Sequence, residues 1–186
     1  MKTVLEILNR YTPDSTARAI LEQAQNPVVR ADRENRLLQL EMDFSRLIEK
    51  DELYRMEEEV AKAYELRYVK FLPHYPSALF SEAYVPELLK ETERVGIVAR
   101  GFFHTYRYEL AGDTLTVRIP FSEAGIQLIR DAHTPDIMGR ILNSEFGLDI
   151  RVSIEISEDF SENMMDESQA ERLAAMDREI KEADRR

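Results

Sequence analysis

The side chains that most often perform acid–base, nucleophilic or metal chemistry occur in this sequence without the spacing that such chemistry needs. The histidines are His74, His104 and His133, and none belongs to an HxxxH or HExxH pattern that binds a metal ion. No serine lies in a GxSxG nucleophile motif, and Ser81 and Ser122 are placed to cap helices. The sequence therefore predicts no catalytic residue, no metal site and no cofactor.

Carboxylate runs and glycines do not form a recognisable site either. Glu57, Glu58 and Glu59 are consecutive in a predicted helix, so their side chains point in different directions and form a solvated face. The six glycines form neither GxGxxG nor GxxxxGK, the loops that hold phosphates. They also form no GxxG, the loop with which KH domains clamp a nucleic-acid backbone.

Composition narrows the functional classes further. The chain has 36 acidic and 25 basic residues, a net charge of -11, and such a surface repels polyphosphates unless basic residues are clustered. It has no cysteine, which agrees with a reducing compartment. No apolar run approaches the ~20 residues that cross a bilayer, and Glu6 and Arg10 interrupt the start before a signal peptide could form. We therefore expect a soluble, cytoplasmic protein with no membrane partner.

Hydrophobic periodicity divides the chain into two small α+β domains and a tail. Residues 1–73 are predicted to form an N-terminal α/β domain with the order α-α-β-β-α-β. Residues 78–157 are predicted to form a KH-like domain with the order α-α-β-β-α-α-β. Between them, Pro73 and Pro76 mark a linker because proline interrupts a strand. Residues 158–186 carry ten acidic and five basic residues, and we expect a charged tail that is helical or disordered.

The clearest strand in the second domain follows a turn at Ala111–Asp113. Leu115, Val117 and Ile119 alternate with polar residues, which predicts a strand with one buried face. Residues 97–105 are ambiguous between helix and strand, and their apolar spacing favours a short helix, although a glycine interrupts it.

One segment resembles a peptide that binds bacterial sliding clamps. Gln39 is followed by Leu40, Met42 and Phe44 at alternate positions, and clamp binding would require these apolar side chains to enter a pocket of the partner. The alternative is that the same alternation forms the buried face of a strand. The buried strand is the favoured interpretation.

A second candidate interaction site combines aromatic and basic residues. Tyr106 and Tyr108 lie close in sequence to Arg100 and Arg107, and tyrosine and arginine are enriched in protein–protein interfaces. Two positive charges release few counterions, so this group is expected to bind nucleic acid weakly.

The order and spacing of several segments resemble the N-terminal region of the PolC-type DNA polymerase III alpha subunit, its domains N-I and N-II. The matching segments are LLQLEMDF from Leu37, RMEEEVAKAYE from Arg55, LAGDTLTVRIPFSEAG from Leu110 and FGLDIRVSIEI from Phe146. The resemblance covers about residues 1–160. It implies a small α/β domain, then a KH-like domain, then a charged linker.

This resemblance implies a non-catalytic part of a bacterial replicative polymerase, because the family's polymerase and exonuclease acids have no counterparts in this chain. The expected role is a docking platform for other replisome proteins, among them the clamp loader or the sliding clamp, with weak or no direct nucleic-acid binding. A KH-like module that positions template or primer is the alternative, and a free-standing small enzyme is a third. A salt titration of DNA binding separates the first two, because phosphate contacts weaken steeply as salt rises.

Overall fold

A computed structural model describes residues 2–157, and in this range the chain forms two small α+β units, as predicted. The elements of the first unit, in the predicted order, are α1 Val4–Ile7, α2 Ser15–Gln23, β1 Gln25–Asp32, β2 Leu37–Asp43, α3 Lys50–Ala63 and β3 Tyr68–His74. Those of the second are α4 Val85–Val95, β4 Arg107–Ala111, β5 Thr114–Ile119, α5 Glu123–Asp131, α6 Thr134–Phe146 and β6 Arg151–Ile156. The predicted tail, residues 158–186, lies outside the described residues.

Each unit contains one three-stranded sheet, and both sheets have the same pattern. The strand orders are β1-β2-β3 and β4-β5-β6. In each, the first two strands form an antiparallel hairpin and the third strand is parallel to the second. A parallel strand requires a crossover, which is α3 in the first unit and the pair α5 and α6 in the second. The alternation in β5 completely buries Leu115, Val117 and Ile119, as predicted.

The segment 97–105 differs from the predicted short helix. A 3-10 helix covers only Ile97–Ala99, and turns follow it. Gly101 has φ +84°, a left-handed conformation that interrupts a helix and favours glycine. Phe103 is nevertheless buried, so the segment contributes to the core without being helical.

Strand β3 extends beyond the point where the sequence predicts a linker. It continues through Pro73 to His74, because β3 is an edge strand and a proline there costs no bond to a neighbouring strand. Tyr75 is also buried, and its N–H donates to the carbonyl of Glu145 at 2.6 Å. Pro76 and Ser77 are exposed. Independent folding of residues 1–73 and 78–157 stays a prediction.

The two units share one core. Their buried apolar residues form a contiguous cluster, with an aromatic centre where the units meet. The ring of Phe146 lies 4.8 Å from that of Tyr84 and 5.3 Å from that of Tyr75. Aromatic pairs at such distances contribute about 0.5–1.5 kcal/mol each beyond the burial of their area. This packing fixes α4 and α6 against the end of β3.

Side chains bind backbone groups on three of the four edge strands. The contacts are Phe71 N–H to Glu57 on β3 at 2.6 Å, Leu110 N–H to Glu82 on β4 at 3.2 Å, and Arg130 to the Ile154 carbonyl on β6 at 3.0 Å. They satisfy polar groups that an edge strand leaves without a strand partner. Among the described residues, β1 has no such side-chain contact on its own backbone.

Candidate interaction site

The aromatic and basic residues of the predicted interaction site lie on and just before β4. The rings of Tyr106 and Tyr108 stack with centroids 6.2 Å apart, and both side chains are half-buried against the core. Arg107 is exposed, and Arg100 is exposed with its Nε donating to the carbonyl of Glu93 at 3.2 Å. The structure thus brings the two tyrosines together, but part of their surface already serves the fold.

The clamp-like segment forms β2, the central strand of the first sheet. Leu40, Met42 and Phe44 are at most 2% exposed, whereas Gln39 faces solvent. Both neighbours of β2 are paired with it along its length. Entry of these apolar side chains into a clamp pocket would require the strand to leave the sheet, so the geometry favours the core interpretation.

The histidines are dispersed. His74 lies 3.3 Å from a carboxylate oxygen of Asp43, His133 lies 3.2 Å from one of Asp136, and His104 is exposed. Within residues 2–157, no group of three or more His, Cys, Asp or Glu side chains is arranged to hold a metal ion. In the same range, no helix is long and apolar enough to cross a membrane.

The α5–α6 turn is the short connection between the two helices of the crossover in the second unit. Here the turn is Ala132–His133, with His133 in the left-handed conformation at φ 55°. Asp131 ends α5, and Asp136 lies in the first turn of α6. Carboxylates on both sides of the turn oppose the approach of a phosphate backbone.

Sequence reasoning missed a group of buried ion pairs that connect the two units. Lys50 at the start of α3 pairs with Glu145 of α6, and both are buried. Lys70 of β3 pairs with Glu91 of α4. In each of these pairs the first unit supplies the lysine and the second supplies the glutamate. We call these four residues the junction ion pairs.

Tyrosines and a third pair complete the junction. Tyr84 donates its hydroxyl to Glu145, and Tyr54 donates to Glu91 at 2.6 Å. Arg94 of α4 pairs with Glu57 of α3 and lies 3.9 Å from the ring of Tyr54, a cation–π contact. Glu145 and Glu91 therefore each have both a cation and a hydrogen-bond donor, which burial of charge requires. Glu57 is 2% exposed, so the predicted solvated face is wrong at this residue. One of its oxygens accepts from the Phe71 N–H, whereas the oxygen beside Arg94 has no aligned hydrogen bond.

The electrostatic consequences differ between two of these carboxyls. Burial by itself would raise the pKa of Glu91, but Lys50, Lys70 and the hydroxyl of Tyr54 outweigh it, so its pKa is lowered. For Glu57, burial prevails over Arg94 and the Phe71 N–H, and the pKa is raised. Burial, followed by the nearby Glu145, also raises the pKa of Tyr84 well above its ordinary value.

A groove of about 340 Å³ lies beside the junction ion pairs, and we call it the junction groove. It is formed by β3, α4 and α6, so both units contribute to it. The groove is lined by Lys70, Phe71, Leu72, Pro73, Glu91, Val95, Ile137, Arg140, Ile141, Ser144 and Glu145. Its exposed lining is mainly apolar, and its volume falls within the range of roughly 300–1,000 Å³ that is typical of binding pockets.

A weak signal in the sequence could have indicated the junction. Glu91 follows Leu88 by three residues and Glu145 follows Leu142 by three, so both glutamates fall on the apolar faces of their helices. A carboxylate on the apolar face of a helix becomes buried on folding, and it then needs a cation or a hydrogen-bond donor beside it. The sequence does not indicate which residue is the partner of Glu145, because Lys50 and Glu145 are 95 residues apart.

Comparison with known proteins does not assign the chain to a family. No family model matches it, and no curated protein matches it. Among solved structures, one titled "Crystal structure of APE1850" is 15% identical to this chain. The alignment covers 75% of this chain and 93% of the other, with a TM-score of 0.29. A similarity of this size supports no conclusion about the function of this chain.

Proposed function

We propose that this chain is a non-catalytic protein-docking platform, the role implied by its resemblance to the N-terminal region of a PolC-type replicative polymerase. The junction groove is the observation that supports this proposal best. It is apolar, it is open to solvent, and it continues into exposed apolar residues at the end of α4. Apolar surface of this kind marks sites of protein–protein contact.

The junction ion pairs support the same role. A buried lysine beside a carboxylate and a tyrosine resembles acid–base machinery, but Lys50 and Tyr84 are buried and both donate to the carboxylate of Glu145. Lys50 and Tyr84 do not line the junction groove. A substrate in the groove would therefore not reach them, and the group is better suited to holding two units in one orientation.

The alternative, a KH-like nucleic-acid-binding module, has one observation in its favour. The second unit places a hairpin, two helices and a parallel strand in the order expected of a KH-like domain. The acidic flanks of the α5–α6 turn and the net charge of -11 oppose nucleic-acid binding.

DNA binding separates the two functions. Fluorescence anisotropy of the full chain with labelled primed DNA at about 150 mM salt should reveal only weak binding, in the high micromolar range or beyond. Changing Arg100 and Arg107 to Ala should leave that weak binding unaltered. Submicromolar affinity that these substitutions reduce would refute the docking role and establish the KH-like alternative.

A further inference from the structure

We infer that the junction groove binds an amphipathic helix of a partner protein, with apolar side chains in the groove and a carboxylate on Arg140. This inference rests on the proposed docking function and specifies its partner. Three features determine the chemistry of the occupant: the apolar walls, the blocked edge of β3, and Arg140, which forms no ion pair with any of residues 2–157.

The walls favour apolar side chains. Leu72, Ile137 and Ile141 are half-buried, and Val95 is 51% exposed. Ile97, two residues beyond Val95 in the chain, is 78% exposed and is thus the most exposed of the large apolar side chains described. A partner that covered this surface would gain about 25 cal/mol for each Å² of apolar area removed from water.

The edge of β3 excludes an extended peptide. Strand addition needs free N–H groups along an edge. On β3 the N–H of Phe71 is bound by Glu57, Pro73 has none, and the N–H of Tyr75 is bound by the carbonyl of Glu145. The occupant must therefore dock through side chains, which is how a helix lies in a groove between helices.

Among the charged side chains that line the groove, Arg140 is the one without an acidic partner in residues 2–157. Glu91 and Glu145 already hold Lys70 and Lys50, so the floor is neutral. Arg140 lies on the exposed face of α6 at the rim of the groove, and in the described part of the chain it forms no ion pair. A carboxylate on the partner helix would pair with this guanidinium and set the orientation of the helix, while the apolar contacts supply most of the affinity.

The test uses a fluorescently labelled synthetic helix of about 16 residues, with leucines at i, i+3, i+4 and i+7 and a single glutamate placed to meet Arg140. A matched peptide has one lysine in place of that glutamate, so the two differ only at the contact with Arg140. Amide chemical shifts of the full chain locate the bound peptide, and fluorescence polarisation gives its affinity. The acidic peptide should bind, shift the amides of the groove residues, and bind at least about tenfold more tightly than the lysine peptide.

The variants probe the two kinds of contact separately. Val95→Asp and Ile141→Asp should weaken binding of the acidic peptide about tenfold or more. Arg140→Glu should reverse the preference between the two peptides. Matched controls outside the groove, Leu128→Asp for an exposed apolar residue and Arg151→Glu for an exposed arginine, should bind like the parent chain. Val95 is half exposed, so its variant is expected to fold even if Ile141→Asp does not.

Several outcomes would overturn the inference. These are equal affinity for both peptides, shifts that map elsewhere, or equal losses in the control variants. A dimer that Val95→Asp dissociates would assign the groove to a second copy of this chain. Tighter peptide binding by Leu173→Asp would assign it to the chain's own acidic C-terminal region. Weak DNA binding together with any of these results would leave the docking function standing and reject only this partner.

Discussion

Replacing Lys50 with methionine should destabilise the protein far more than removing an exposed lysine. The side chains of Lys50 and Glu145 are 3% and 7% exposed, so the variant leaves a largely buried carboxylate without its cation. Breaking a buried pair by removing one partner costs about 3–5 kcal/mol. Because the hydroxyl of Tyr84 still donates to Glu145, we expect the lower end, about 3 kcal/mol.

Urea unfolding gives a direct measurement of this loss. With a slope of about 2 kcal/mol per M, a loss of about 3 kcal/mol lowers the midpoint by about 1.5 M. Lys90→Met is the matched control: Lys90 pairs with Asp51 and Glu87 on an exposed surface, where a pair contributes about 0–1 kcal/mol. Its midpoint should fall by about 0.5 M or less.

The double variant Lys50→Met with Glu145→Gln tests the physical cause. The glutamine removes the stranded charge and can still accept the hydrogen bond from Tyr84, so the double variant should be more stable than Lys50→Met alone. The reasoning is refuted if Lys50→Met shifts the midpoint no more than Lys90→Met does. It is also refuted if the losses of the two single variants simply add.

Further outcomes follow from the same structure. The pKa of Glu91 is lowered from its ordinary 4.5, so folding favours the ionised form, and the contribution exists above pH 4.5 and is lost as pH falls through the folded value. The stability difference between the parent and Glu91→Gln should thus be full at pH 7 and shrink below pH 4.5 in urea unfolding; a difference independent of pH would contradict this. Leu40→Ala should cost about 2–5 kcal/mol as a core truncation, and the segment of residues 39–44 should not mediate clamp binding in surface plasmon resonance. Measurable clamp binding that Leu40→Ala abolishes, with the fold retained, would restore the clamp interpretation. Limited proteolysis should cut between Leu72 and Ser81, at the exposed Pro76–Ala78, or after Ser157. A fragment of residues 78–157 lacks both junction lysines and should unfold at lower urea than the full chain.

The parts of the fold that the sequence predicts are those governed by local periodicity. Alternation in β2 and β5 indicates which side chains are buried, because a strand has only two faces and one of them must cover the core. The same alternation explains the clamp-like segment as a strand with one buried face, so a clamp partner is not needed to account for its sequence. Helix order follows from the 3.6-residue period in the same way.

The errors occur where a local rule depends on remote structure. Proline predicts the end of a strand, yet β3 accepts Pro73 because its outward edge needs no N–H there, and edge position is not visible in the sequence. The junction ion pairs were missed for a related reason. Their partners come from different units, so neither residue has a local companion that would indicate the pair.

The side-chain contacts on the sheet edges also affect how the protein behaves at high concentration. An edge with unpaired backbone groups can serve as a template for another chain, which is how domain swapping and fibril growth begin. Contacts on β3, β4 and β6 obstruct such growth, and β1 is the edge strand whose backbone has no side-chain contact among residues 2–157. On that strand Pro27 lacks an N–H, and Arg30 and Asp32 place charge along the edge, which are features that natural edge strands use to remain monomeric in a crowded cell.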